Sequence, residues 1–208
     1  MTPRLFLIPL ALAGCLPAAH ASARTDCPPT APPPGAVAKP IDGMAETLWA
    51  GDNRSVGVSG FGAVQVLSAS PMPLAALVVD AQDNGDHQLL VSDGRAAHLF
   101  ALAGCQIKTV TDNHGAPFLF DLENLRGNGT GVGCSDLGGG RHLVGLQAVQ
   151  DGGQWVVRRT EIDLDGTIAT IGRSDIVTAA SAQDMAVTSA MTITCGDLTI
   201  DRDGVQQP

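Results

Sequence analysis

Two short apolar runs, Leu77-Val78-Val79 and Leu89-Leu90-Val91, bracket a polar stretch at 80–88, and the second run closes on Asp93-Gly94. Runs this short suit buried strands better than helices, and Asp-Gly supplies the positive-φ residues of a tight turn. A related unit returns about 55 residues later: Val132-Gly-Cys-Ser-Asp136, a glycine loop at 138–140, then His142-Leu-Val-Gly-Leu146. Past Asp42, runs rich in Val, Ile, Leu and Thr are separated by Gly, Asp and Asn every eight to twelve residues or so, the punctuation of an all-β chain.

This pattern predicts strands over 63–68, 74–79, 88–92, 96–101, 106–111, 118–121, 143–148, 155–163, 167–172 and 190–195. Asp165-Gly166 marks the clearest hairpin, Asp112-Asn-His-Gly115 and Gln150-Asp-Gly-Gly153 mark two more, and a turn or two of helix is expected near 179–185. The two units line up at about four strands each, which predicts antiparallel sheets built from repeats. The chain has room for about three such units, and a closed propeller needs at least four blades. The expected architecture is therefore a partial, propeller-like set of sheets, with a two-sheet β-sandwich as the alternative.

The first residues carry one positive charge, Arg4, and then the apolar run Leu5-Phe-Leu-Ile-Pro-Leu-Ala-Leu-Ala13. A run this short cannot cross a hydrocarbon core of about 30 Å as a permanent helix, so 1–14 reads as an export signal. Its last residues, Leu12-Ala13-Gly14-Cys15, match the bacterial lipobox, and here the chain resembles a bacterial lipoprotein precursor. That resemblance implies cleavage before Cys15 and a diacylglycerol on its sulfur, anchoring the chain on the extracytoplasmic face of the cell membrane. The alternative is an ordinary signal peptide cut after Ala19-His20-Ala21, which gives a secreted protein. Residues 15–41 are proline-rich and read as a semi-rigid tether, 42–204 as the folded domain, and 205–208 as a tail.

Setting Cys15 aside leaves Cys27, Cys105, Cys134 and Cys195, an even number in an exported chain and hence two disulfides. Of the three pairings, Cys105–Cys134 with Cys27–Cys195 is favoured, because it closes a short loop within the repeats and clips the ends of the domain together. No Cys or His spacing typical of zinc sites is present.

The loop at 80–88, Asp80-Ala-Gln82-Asp83-Asn84-Gly85-Asp86-His87-Gln88, resembles the FG-GAP/VCBS-type repeats of bacterial and integrin-like propellers. Those carry Asp-x-Asp/Asn-x-Asp-Gly-x-x-Asp/Glu before an apolar run. More loosely, 74–172 is similar to a group of exported actinobacterial proteins with degenerate copies of that repeat. The resemblance implies a Ca²⁺ site with Asp80, Gln82, Asn84 and Gln88 as side-chain ligands and Asp86 as a substitute. Three of the four ligand positions hold neutral amides, so the site would be weak. The competing reading, which the residues favour, is a turn in which Asp80 and Asn84 accept backbone N–H groups.

A net charge of −9 argues against nucleic acid and anionic surfaces, and an aromatic content of 3%, with no Tyr, is poor material for stacking bases or sugars. Nucleophile-elbow, zincin and Walker patterns are absent. The glycines at 127–133 are followed by no helix and read as a flexible loop. His98 is expected half-buried in a strand, and His87, His114 and His142 solvated. Glu161 and Asp163 share one face of a strand, as acid–base partners do, but such pairs are common on acidic surfaces. The reading is a non-catalytic binding or structural module of the cell envelope, without a cofactor beyond weakly held Ca²⁺. Its partners would be the membrane, through the lipid, and an envelope or other protein. A Ca²⁺-dependent adhesion module and an accessory or cryptic cell-wall enzyme are the alternatives.

Overall fold

The computed structural model describes residues 27–122 and 128–208. The export signal, Cys15 and the tether up to residue 26 lie outside the described residues. Four strands open the fold: β1 (Val37–Pro40), β2 (Thr47–Gly51), β3 (Ser55–Val58) and β4 (Gly62–Gln65) form one up-and-down antiparallel sheet. A second sheet is built on β5 (Ala75–Val79), β6 (Gln88–Ser92), β7 (Ala96–Ala103) and β8 (Gln106–Thr109), with β9 (Leu119–Asp121) also pairing with β7. The third comprises β10 (Gly129–Asp136), β11 (Arg141–Asp151), β12 (Gln154–Asp165) and β13 (Ile168–Ala179). A short helix, α1 (Met185–Ser189), follows, then the ribbon β14 (Thr194–Cys195) and β15 (Leu198–Thr199), a single helical turn α2 (Ile200–Asp203), and β16 (Val205–Gln206). The chain is all-β and antiparallel, in three four-stranded meanders, and none of these sheets closes on itself.

The second sheet is the middle layer. Side chains alternate across a strand, so one strand can feed two cores. Ala76, Val78, Leu89, Val91 and Phe100 pack with Leu48, Val56 and Val58 of the first sheet. Leu77, Val79, Leu90, Leu99 and Ala101 pack instead with Val132, Leu143, Ile162 and Ala169 of the third. The register agrees, since Val78 opposes Leu89 and Leu89 opposes Phe100, while Leu77 opposes Leu90 and Leu90 opposes Leu99. That is why 77–79 and 89–91 are apolar at every position. The outer face of the third sheet has its own cluster, in which Val144, Leu146, Ala148 and Val157 meet Val187 and Ala190 of α1 and its C-cap.

Several expectations need correction. The disulfides are Cys27–Cys105 and Cys134–Cys195, with Cα separations of 5.3 and 4.7 Å, rather than Cys105–Cys134 and Cys27–Cys195. A parallel bridge joins Val132 of β10 to Ile193, and two residues further along each segment stand Cys134 and Cys195. Strand alignment therefore sets this pairing, not loop length. Cys27 lies beside Gly60, where it meets Cys105 in the β7–β8 turn. The glycines from 129 onward belong to β10 and not to a loop. A Cβ on Gly131 would fall 2.5 Å from the Thr192 carbonyl and 2.7 Å from that of Ser189, and one on Gly129 2.1 Å from Met191 Sδ, so glycine admits the 189–192 segment against the strand.

The expected tail is not a tail, because Val205 and Gln206 pair with Ala76 and Ala75, and Gln207 exchanges backbone and side-chain hydrogen bonds with Leu74. Residues 37–40, read as tether, form β1. The helix begins at Met185, capped by the Asp184 carboxylate, so it starts where the expected stretch at 179–185 ends and runs on to Ser189. Only Thr194–Cys195 of the expected 190–195 strand is extended in a ladder.

Candidate functional site

The β5–β6 loop, the one proposed for Ca²⁺, spends its oxygens on itself. Asp80 accepts hydrogen bonds from the amides of Asn84 (3.2 Å) and Gly85 (2.9 Å) through separate oxygens. Asn84 Oδ1 accepts from the Asp86 amide, and Gln88 Oε1 accepts from the Ala81 amide. Asp86 is in turn contacted by the Asn84 side-chain amide. Of the five suggested ligands only Gln82 has no such bond among those seen. A fixed cation also reaches the loop: Arg141, at the start of β11, donates to the Asp80 carbonyl and pairs with Asp83. The loop is a turn clamped to the third sheet. Asp93, Asp112 and Asp136 organise other turns likewise; Asp136 Oδ1 accepts from Gly138, Gly139 and Gly140, which holds its carboxyl below the usual range.

Chemistry gathers instead on the outer face of the third sheet. β11–β12 and β12–β13 are long hairpins, turned by Gly152-Gly153 and Gly166 at positive φ. Pairing places Leu146 opposite Arg159 and Val144 opposite Glu161, and His142 and Asp163 are the next residues beyond the last pair, Leu143 and Ile162. These side chains share the face that carries α1. Its apolar half lies under α1 and forms a cleft of about 530 Å³, lined by Leu146, Val157, Arg159, Val177, Met185 and Ser189 among others.

Its polar half is a ladder of opposite charges. Arg159 forks onto both oxygens of Asp175, and this hydrogen bonding lowers the Asp175 carboxyl and raises the Arg159 guanidinium. Arg173 Nε donates to Glu161 Oε2 at 2.7 Å, the main reason the Glu161 carboxyl lies below its ordinary range; burial opposes this, and His142 adds to it. His142 Nδ1 stands 3.5 Å from Glu161 Oε1 and 3.5 Å from Asp163 Oδ1. His142 and Glu161 are largely withdrawn from solvent, with side chains 18% and 8% exposed, whereas Asp163 is open at 52%.

A β-bulge shapes this end of the sheet. Thr160 pairs with Ser174 and Ile162 with Ile171, so Gly172 and Arg173 together face the single residue Glu161. A Cβ on Gly172 would come within 2.8 Å of Asp163 Oδ2 and 3.3 Å of Glu161 Cβ, so a side chain there would push the Asp163 carboxylate aside.

The expectation that Glu161 and Asp163 share a strand face is met, and His142 joins them. His142 was expected to be solvated and is half-buried, like His98. The sequence signal for this grouping was the pairing of two hairpins, which spacing alone does not reveal. His98 is half-buried as expected and lies 3.4 Å from Asp93. Searches of protein-family models, curated proteins and solved structures match nothing to this chain. The site must be read from its own atoms.

Proposed function

We propose that this protein is a lipid-anchored, extracytoplasmic envelope protein whose β domain serves as a non-catalytic binding or structural module. The observation that carries this reading is the cysteine accounting. The four cysteines of the described residues are consumed in two disulfides, which suits an oxidising compartment, and Cys15 of the lipobox is the one left over for a thioether-linked lipid. Among the described residues no helix is long and apolar enough to cross a membrane. Attachment through acyl chains on Cys15 supplies the membrane link in this reading.

Two features support binding as the role. β13 runs twelve residues and, among the described residues, pairs with another strand only through β12, apart from a bridge from Ile168 to Thr111. It exposes Ile168, Ile171 and Ile176. A long open edge with apolar side chains is a surface on which another extended segment can dock. The cleft under α1 opens beside it.

The test is to express the full chain in a bacterium that processes lipoproteins, with a clickable palmitate analogue, alongside Cys15→Ala. Labelling and membrane fractionation that disappear in Cys15→Ala support the reading. Unlabelled protein, or a Cys15→Ala variant that still fractionates with membranes, overturns it. Crosslinking from a photoreactive residue at Ile176 then tests the docking edge, and the absence of any crosslinked protein refutes it.

A further inference from the structure

We infer that His142, Glu161 and Asp163 form a binding site for a divalent transition-metal cation of the Zn²⁺ class, distinct from the Asp80 loop and independent of the lipid anchor. Each residue offers one donor atom, and the three atoms all lie within 4.8 Å of one another. Two donors held about 2.0–2.1 Å from a tetrahedral ion stand roughly 3.4 Å apart. The two separations from His142 Nδ1, both 3.5 Å, match that spacing.

The second observation is the state of that nitrogen. His142 Nδ1 is buried and has no hydrogen-bond partner, although two carboxylates stand beside it. A buried polar atom without a hydrogen bond is unfavourable, and a metal ion between it and the carboxylates removes that cost. Both contacts are also ion-pair distances when the imidazole is protonated, so a bound metal ion replaces that pairing.

The surroundings fit a metal. Arg173 engages Glu161 Oε2 and leaves Oε1 turned towards His142, the kind of outer hydrogen bond that orients a ligating carboxylate. Gly172 leaves room for the Asp163 carboxylate. The exposure of Asp163 gives an ion a route in and leaves a coordination position open to water or to a donor from a bound molecule. One imidazole with two carboxylates suits Zn²⁺, Co²⁺ or Mn²⁺, whereas Ca²⁺ seeks an all-oxygen shell of six to eight ligands. The nearby Arg173 charge offsets one carboxylate, so affinity depends on all three ligands acting together.

The test uses the full chain without a polyhistidine tag, stripped with chelator and titrated with Co²⁺ and then Zn²⁺. The expected result is a visible Co²⁺ ligand-field band that saturates at one equivalent, is displaced by Zn²⁺, and is accompanied by a higher Tm. Asp163→Asn, at an exposed position that folding tolerates, and His142→Ala should each abolish the band, while His114→Ala in an exposed turn should keep it. Circular dichroism of the metal-free variants establishes that they are folded. No band and no Tm change in the wild-type chain would overturn the inference, as would a band that survives in folded Asp163→Asn and His142→Ala, or a response to Ca²⁺ alone.

Discussion

Replacing Asp93 by Asn should flatten the acid limb of the stability curve. Asp93 sits in the β6–β7 turn at 4% exposure, and its Oδ1 accepts from the amides of Arg95 (2.9 Å) and Ala96 (2.7 Å). Its other oxygen accepts from the Ser68 hydroxyl and lies 3.4 Å from His98 Nε2. Burial pushes this carboxyl up, but the hydrogen bonds from Ser68, Ala96, Arg95 and His98 outweigh it and bring the pKa from 3.8 down to about 2. A folded pKa below the unfolded one means that the unfolded chain takes up the proton first as pH falls. The ionised group therefore stabilises the fold fully above pH 3.8, and this contribution is lost as pH drops through about 2. At 1.36 kcal/mol per pH unit the interval corresponds to about 2 kcal/mol. Asn keeps an oxygen for the turn amides and removes the charge. Urea unfolding of wild type and Asp93→Asn at intervals between pH 6 and 2 should give a stability difference that narrows by about 2 kcal/mol towards the acid end. The other depressed carboxyls, Asp112, Asp136, Glu161, Asp175 and Asp203, titrate in both proteins and cancel. Parallel curves would refute the argument.

Three further outcomes are expected. Gly131→Ala should lower stability by about 1–3 kcal/mol in urea melts, because its Cβ meets backbone atoms, while Gly145→Ala, whose Cβ would meet Phe120 at an ordinary 3.7 Å, should cost far less; equal effects would contradict the packing. Non-reducing peptide mapping should recover Cys27–Cys105 and Cys134–Cys195, and the double Ser replacement of the second pair should cost about 4 kcal/mol by loop-closure entropy, read as a lower urea midpoint. Melts in chelator and in millimolar Ca²⁺ should coincide when transition metals are absent. Asp80→Ala should lower Tm equally in both, losing about 1–2 kcal/mol of turn hydrogen bonding.

What was legible in the sequence was whatever depends on neighbours along the chain. The 77–79 and 89–91 runs, the Asp165-Gly166 turn and the Asp-led loops are local, and each appears where expected. The strands at 47–51 and 55–58 were not expected, since Gly51, Gly57 and the intervening Asp52-Asn53 resemble loop chemistry. Gly57 is in fact required because Trp49 lies over it, at 2.2 Å from a would-be Cβ. β10 was hidden for the same reason, as its glycines answer to residues some sixty positions later. The site was half visible: the 161/163 pair follows from strand alternation, but placing His142 beside it requires the β11–β12 register.

The short strand at 205–206 has a consequence for how the molecule comes into being. It occupies the edge of β5, and Gln207 adds bonds to Leu74 and to Gly51 in the first sheet. Val205 also fills the core shared by the first two sheets. A polypeptide delivered from its N-terminus thus has the middle layer's first strand in hand long before the residues that cover its flank. Until synthesis reaches them, that flank is an open invitation to aggregate, and a chain broken off before residue 205 would lack its latch.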